Sequence, residues 1–453
     1  MAESTNTIQK EIQDREAKEK RELRRKRRRR NQILAILTLL LFVCLIVVII
    51  GTGVWYIMHR GAGKTAGGGA ATTEETTIDN LFESEDEIVK PEETNTEPAL
   101  TPEQQLDAIL DEAFISQMPL EDKVAGLFIV TPESITGVNK AVKAGDGTKD
   151  ALNKYAVGGI VYASQNMQDA AQFTEMVSNT TLYSRYALFT CVAEEGGSST
   201  SLEKAGLADK TDSEQTMGTG ADAAKAYEAS GKIADSMLTY GLNLNFAPVA
   251  DLATVQDSYL KDASYGSDAA LAASFVTSAV QGMQEKGISS CLKYFPGAAD
   301  MKEDPAKGMA SSERTAEQLA AEEFTVFKAG IDAGADMVMV GHVAVPALTG
   351  DNTPCSLSSA VITDKLRNEL GFNGVIITDA MNKGAITEYY EADEAAILAL
   401  KAGCDMILCP DDFEKAYNGV LEAVQNGTIS EERINDSLRR IYRIKYAGMM
   451  PEA

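Results

Sequence analysis

The chain has 453 residues, 44% of them hydrophobic and 24% charged, and a formal net charge of −25. It is long enough for a large core and more than one region, and so acidic a chain is set against polyanions such as nucleic acid. Its only histidines are His59 and His342, which excludes a histidine-rich metal site.

The first hundred residues divide by composition into three segments. Residues 1–32 contain the run KEKRELRRKRRRRNQ, and residues 33–58 read ILAILTLLLFVCLIVVIIGTGVWYIM without a single charge. The second run is long enough to cross about 30 Å of hydrocarbon. A signal peptide has a shorter apolar stretch and a small-residue cleavage site. This run instead ends in Trp55 and Tyr56, which suit a membrane–water interface. The expectation is a retained transmembrane helix over 33–58, with 1–32 as a basic cytoplasmic segment. The polybasic run then fixes orientation and meets anionic lipid. Residues 59–99 are rich in Gly, Thr and Glu and poor in large apolar residues, so a flexible acidic linker is expected there. Residues 1–60 carry 13 Lys or Arg against 6 Asp or Glu, net +7, which leaves −32 for the remainder. The expected localisation is the cell membrane: single-pass, N-terminus cytoplasmic, the following domain extracellular.

From residue 100 the pattern becomes regular. Short apolar, β-branched runs occur at 126–130 (GLFIV), 158–163 (GGIVYA), 187–195 (ALFTCVAEE) and 242–251 (LNLNFAPVAD). Four more follow at 288–295 (ISSCLKYF), 336–343 (DMVMVGHV), 374–380 (GVIITDA) and 405–410 (DMILCP). Amphipathic stretches such as SFVTSAVQGMQEKG separate them, several ending in Gly as a C-terminal cap. Strand–helix repeats of this kind imply parallel strands with crossover helices, and continuously apolar strands imply a sheet buried on both faces. Eight units over 100–453 fit an α/β fold of the (β/α)8 TIM type; a doubly wound open sheet is the competing architecture. No GxGxxG follows a strand and no P-loop occurs, so nucleotide binding lacks support. Beyond the apolar run lie five cysteines, Cys191, Cys291, Cys355, Cys404 and Cys409, an odd number without zinc spacing. Most are expected to be buried apolar residues.

In such a barrel the chemistry sits where strands end. Those ends carry Glu194 and Glu195, Asp251, Lys293, His342 and Asp379. Any one of them could be a helix cap or a surface charge; five strand ends on one rim make a site.

The segment GVIITDAMNKGAI, 374–386, places Asp379 after an apolar strand and before a Met and a helix. It resembles the nucleophile motif of glycoside hydrolase family 3, in its bacterial β-N-acetylhexosaminidase branch. MPLEDKVAGLFIV, GGIVYASQNM, CVAEEGG, GLNLNFAPVADL, KYFPGAAD and the stretch from GHVAVPALTG to ITDAM are similar in order and spacing to segments of that family. The resemblance runs from about residue 100 to 451. It implies a retaining glycosidase: a carboxylate forms a covalent glycosyl-enzyme while a second group protonates the leaving oxygen. Asp379 matches the nucleophile, and Lys293, Tyr294, His342, Glu195 and Met381 match positions implied to line the substrate site. No cofactor and no metal is implied.

Several matched positions depart from the family pattern. The family's acid/base His, on the loop after the fifth strand, is Ala306 here, while its paired Asp survives as Asp304. The His after Lys293 is Tyr294. Two Arg positions hold Ser198 and Ala263, and an Asp position holds Ala193. Asp304 or Glu303 is therefore the candidate acid/base, and since the sequence ends at Ala453 an acid from a second domain is not expected. His342 is read as a structural or subsite residue and not a proton shuttle. Three functions remain open at this point. One is a diverged or impaired membrane-anchored hydrolase of cell-wall or other glycans. Another is an inactive pseudoenzyme that binds glycan or a protein partner. The last is a structural module of the envelope.

Overall fold

The computed structural model describes residues 102–198, 200–297 and 301–447. The segments 1–32, 33–58 and 59–99, with the membrane helix and linker expected in them, lie outside these residues. Among the described residues no helix is long and apolar enough to cross a membrane.

Eight parallel strands close on themselves in sequence order: β1 (Phe128–Val130), β2 (Gly159–Val161), β3 (Phe189–Val192), β4 (Leu244–Asn245), β5 (Ser289–Phe295), β6 (Met337–Val340), β7 (Val375–Ala380) and β8 (Met406–Leu408). The last rung joins β1 to β8, with Ile129 opposite Leu408. This is the (β/α)8 barrel, and the open-sheet alternative is set aside. Strands β1, β3 and β6 are buried at every position. Their unbroken apolar character follows from having side chains in the lumen on one face and helices on the other.

The fourth strand is shorter than its apolar run suggests. Pro248 has no N–H to donate to a ladder. Regular pairing ends at Asn245, and the chain beyond stays beside β5 through the Cys291 amide on the Ala247 carbonyl (2.9 Å) and an isolated parallel bridge from Val249 to Lys293. Two other irregularities fall at the same end of the barrel. The β5–β6 register shifts between Leu292 and Phe295, and the β7–β8 register between Ile377 and Ala380. Such bulges re-aim side chains at barrel rims. Here they sit in the strands that carry Lys293, Tyr294 and Asp379.

The final helix, Glu431–Tyr446, is tied to the opposite end of β8. The fully buried Asp405 accepts hydrogen bonds from Ser437 Oγ (2.9 Å), Arg440 Nη1 (3.1 Å), Arg367 Nη2 (2.7 Å) and the Ile376 amide (2.9 Å). Four donors around one carboxylate satisfy a charge that burial alone would make costly. Cys191, Cys291, Cys355 and Cys404 are buried free thiols, as expected, and Cys409 is half-buried.

Candidate active site

The strand ends singled out from sequence converge. Asp379 is the penultimate residue of β7 and is 5% exposed. Its Oδ1 accepts the Ala380 amide (2.7 Å) and its Oδ2 is ion-paired with Lys383 Nζ (2.6 Å). Burial works to raise its pKa, but the Lys383 ammonium beside it prevails and holds the carboxyl below its ordinary value. Asp379 is therefore a carboxylate at neutral pH, the form a nucleophile needs.

Lys293, from β5, forms a second ion pair with Glu195, which follows β3; both side chains are buried. Tyr294 stands between the two pairs. Lys293 Nζ lies 5.4 Å and Lys383 Nζ 5.3 Å from its ring centre, within the range of cation–π attraction. Burial, then the Asp379 charge, push the Tyr294 phenol well above its usual value. Asp251 holds this segment from below, its Oδ2 accepting the Tyr294 amide at 3.3 Å. The turn that follows needs glycine at 297. Its φ is +118°, and a Cβ there would lie 2.4 Å from Glu323 Cγ.

His342, after β6, is buried with both ring nitrogens engaged. Nε2 lies 3.0 Å from the Ala380 carbonyl, which can only accept, so Nε2 carries the proton. Nδ1 then accepts from Ser356 Oγ at 2.8 Å. Burial lowers its pKa, so the ring is neutral. It grips the chain one residue beyond Asp379. Met381 is buried next to that grip and lines a cavity of about 390 Å³ with Ile386, Thr387 and Tyr390.

The loop carrying Asp304 and Glu303 docks over the rim. Ala310 and Ser312 exchange backbone hydrogen bonds with Ala344, after β6. On its other side the loop packs on Gly384, where an added Cβ would lie 2.8 Å from the Gly308 nitrogen. Asp304 caps its own turn, Oδ1 accepting the Ala306 amide at 2.9 Å, and Glu303 is exposed. Asp304 nonetheless faces the same neighbourhood as Asp379. The half-buried phenol of Tyr259 is pushed well above its usual value, first by burial and then by Asp251, Tyr294, Asp379 and Asp304 together.

Three contributors were not singled out from sequence. Lys383 lies four residues after Asp379, beyond the end of β7 and just before the helix Gly384–Thr387, where no motif marks it as a partner of the carboxylate. Tyr259 comes from a long connection after β4 with no motif to mark it. Glu214, buried at the start of the helix Glu214–Thr219, accepts the Val249 amide at 3.1 Å. Burial, then Glu195, raise its pKa well above the carboxylate range.

A model of the glycosyl hydrolase family 3 N-terminal domain matches residues 119–444. A beta-hexosaminidase of Stenotrophomonas maltophilia is 30% identical over 284 residues, covering 60% of this chain and 82% of that protein. Among solved structures, a glycoside hydrolase family 3 beta-N-acetylglucosaminidase from Paenibacillus is 32% identical with a TM-score of 0.69; the match covers 74% of this chain and 64% of that one. A beta-N-acetylhexosaminidase from Beutenbergia cavernae is 25% identical with a TM-score of 0.65, covering 73% of this chain and 99% of that one. On its barrel, its rim and these matches together, the chain belongs to glycoside hydrolase family 3, in the β-N-acetylhexosaminidase branch.

Proposed function

We propose that this protein is a diverged β-N-acetylhexosaminidase-like glycoside hydrolase that cleaves O-glycosidic bonds of cell-wall or other glycans with retention. Asp379 is the nucleophile. The observation that carries this conclusion is its setting: an ionised carboxylate at the end of β7, in a rim with Glu195, Lys293 and Tyr294. Tyr294 and Lys293 face the sugar, with Glu195 holding Lys293. His342 and Met381 shape the floor on which Asp379 stands. Proton donation falls to another group of the mouth, because position 306 is alanine; Asp304 and Glu303 are the carboxyls the docked loop offers.

Residues 33–58 anchor the chain, with 1–32 in the cytoplasm and the barrel outside, where polymeric glycan is accessible. The support is the uncharged run and the basic cluster before it. Protease added to intact cells then removes the barrel and spares an N-terminal fragment; a fully protected barrel contradicts the orientation.

A second function, glycan or partner binding without turnover, is favoured by one specific observation. The nucleophile is neutralised by Lys383 in a rim where Tyr294 and Ala306 stand at positions that the resemblance assigns to histidine. Assay of the full-length protein with aryl β-glycosides, the N-acetylglucosaminide among them, separates the two. Turnover abolished by Asp379→Asn supports the hydrolase. Glycan-dependent thermal stabilisation without turnover supports the binding protein.

A further inference from the structure

Forming a glycosyl ester on Asp379 removes its negative charge. Lys383, 2.6 Å from Oδ2 in the resting site, thereby loses its counter-ion inside a largely buried rim. A partly shielded ammonium left there without a counter-ion is disfavoured. That problem disappears if the lysine gives up its proton in the same step. We propose that Lys383 is the proton donor to the leaving oxygen, in the role that position 306 no longer fills. This rests on the assignment of Asp379 as nucleophile.

The step balances. An Asp379 oxygen forms a bond to the anomeric carbon as the bond from that carbon to the leaving oxygen breaks. The leaving oxygen takes the departing electron pair together with a proton from Lys383 Nζ. A carboxylate and an ammonium are replaced by an ester and a neutral amine, and an alcohol departs. In the second half the amine takes a proton from water as the water oxygen attacks the anomeric carbon. The ion pair is thereby restored.

Geometry favours Lys383 over the loop carboxyls. Its side chain is 26% exposed and so is not enclosed on every side. Its flexible four-carbon stem lets the head move from Oδ2 to an oxygen across the sugar, as retention requires of carboxyl groups about 5–5.5 Å apart. Tyr294 offers its ring face 5.3 Å from Nζ, a second contact available to the cation while it moves. Asp304, by contrast, already caps its own turn, and Glu303 points to solvent.

The test uses the full-length protein, Lys383→Arg, Lys383→Met and Asp304→Asn on aryl N-acetylglucosaminides whose phenols span a range of acidity, with thermal melts to confirm folding. Arginine keeps the ion pair but does not release its proton. Both Lys383 variants are expected to lose about 10²–10⁴-fold in kcat/KM on poor leaving groups and little in kcat/KM on activated ones. On activated substrates, where the second half then limits kcat, azide added to Lys383→Met raises kcat and yields the β-glycosyl azide. Three results overturn the proposal while leaving Asp379 as nucleophile: Lys383→Met is as active as the parent or faster, its loss is uniform across leaving groups, or only Asp304→Asn shows the leaving-group dependence. A parent protein with no turnover on any substrate overturns the hydrolase assignment itself.

Discussion

At residue scale the rim is a row of alternating charges, Glu195–Lys293 and Asp379–Lys383, with Tyr294 between them. Directly before Glu195, just beyond β3, stands Glu194. That residue is 3% exposed, and its Oε1 accepts the Ser201 and Leu202 amides at 2.6 and 2.7 Å. Burial pushes its pKa up to about 7. A carboxyl raised in the folded state contributes stability that is complete below its ordinary value near 4.5 and is lost as pH rises through 7. Glu194→Gln keeps an acceptor for both amides and does not ionise. Its melting temperature is therefore expected to match the parent near pH 4.5 and exceed it above pH 7, by at most about 3 kcal/mol in unfolding free energy. Equal pH dependence in parent and variant contradicts this. The position of Asp379 was legible because an acid ending a wholly apolar strand is conspicuous. Its neutralisation by Lys383 was not, because whether a side chain four residues on turns inward depends on how β7 ends and how the next segment docks.

At element scale the docked loop and the final helix make distinct demands. Gly384 lies under the backbone of 306–308 with no room for a methyl group. Gly384→Ala forces that loop away from the rim and is expected to cost about 1–3 kcal/mol by thermal or chemical unfolding. The displaced loop also becomes more sensitive to protease between 301 and 312. At the other end, Asp405 gathers Arg367, Arg440, Ser437 and the Ile376 amide. Asp405→Ala strands buried donors and is expected to destabilise by about 3–5 kcal/mol in denaturant titration. A change below 1 kcal/mol contradicts the anchoring role of this carboxylate. The strand runs and helix caps predicted both ends in outline. The early end of β4 was readable in principle from Pro248. The docking of the 301–312 loop was not, since it depends on backbone contacts with Ala344 and Gly384 that no side-chain pattern encodes.

At the scale of the whole molecule, eight apolar runs at regular spacing were enough to predict a closed ring of parallel strands, because a strand buried on both faces has no alternating pattern to confuse it with an exposed one. Closure itself, β1 against β8, is a long-range pairing that sequence only implies. Charge divides the sequence: an acidic stretch containing the barrel follows a basic N-terminal segment. The central claim, that Asp379 is the group a sugar is transferred to, is tested most directly by trapping. The full-length protein is incubated with a fluorinated N-acetylglucosaminyl fluoride whose ester hydrolyses slowly, then digested and its peptides weighed. The expected result is one added sugar on the peptide containing Asp379 and none in Asp379→Asn. A sugar attached to another residue, or unmodified protein after the reagent has been consumed, contradicts it.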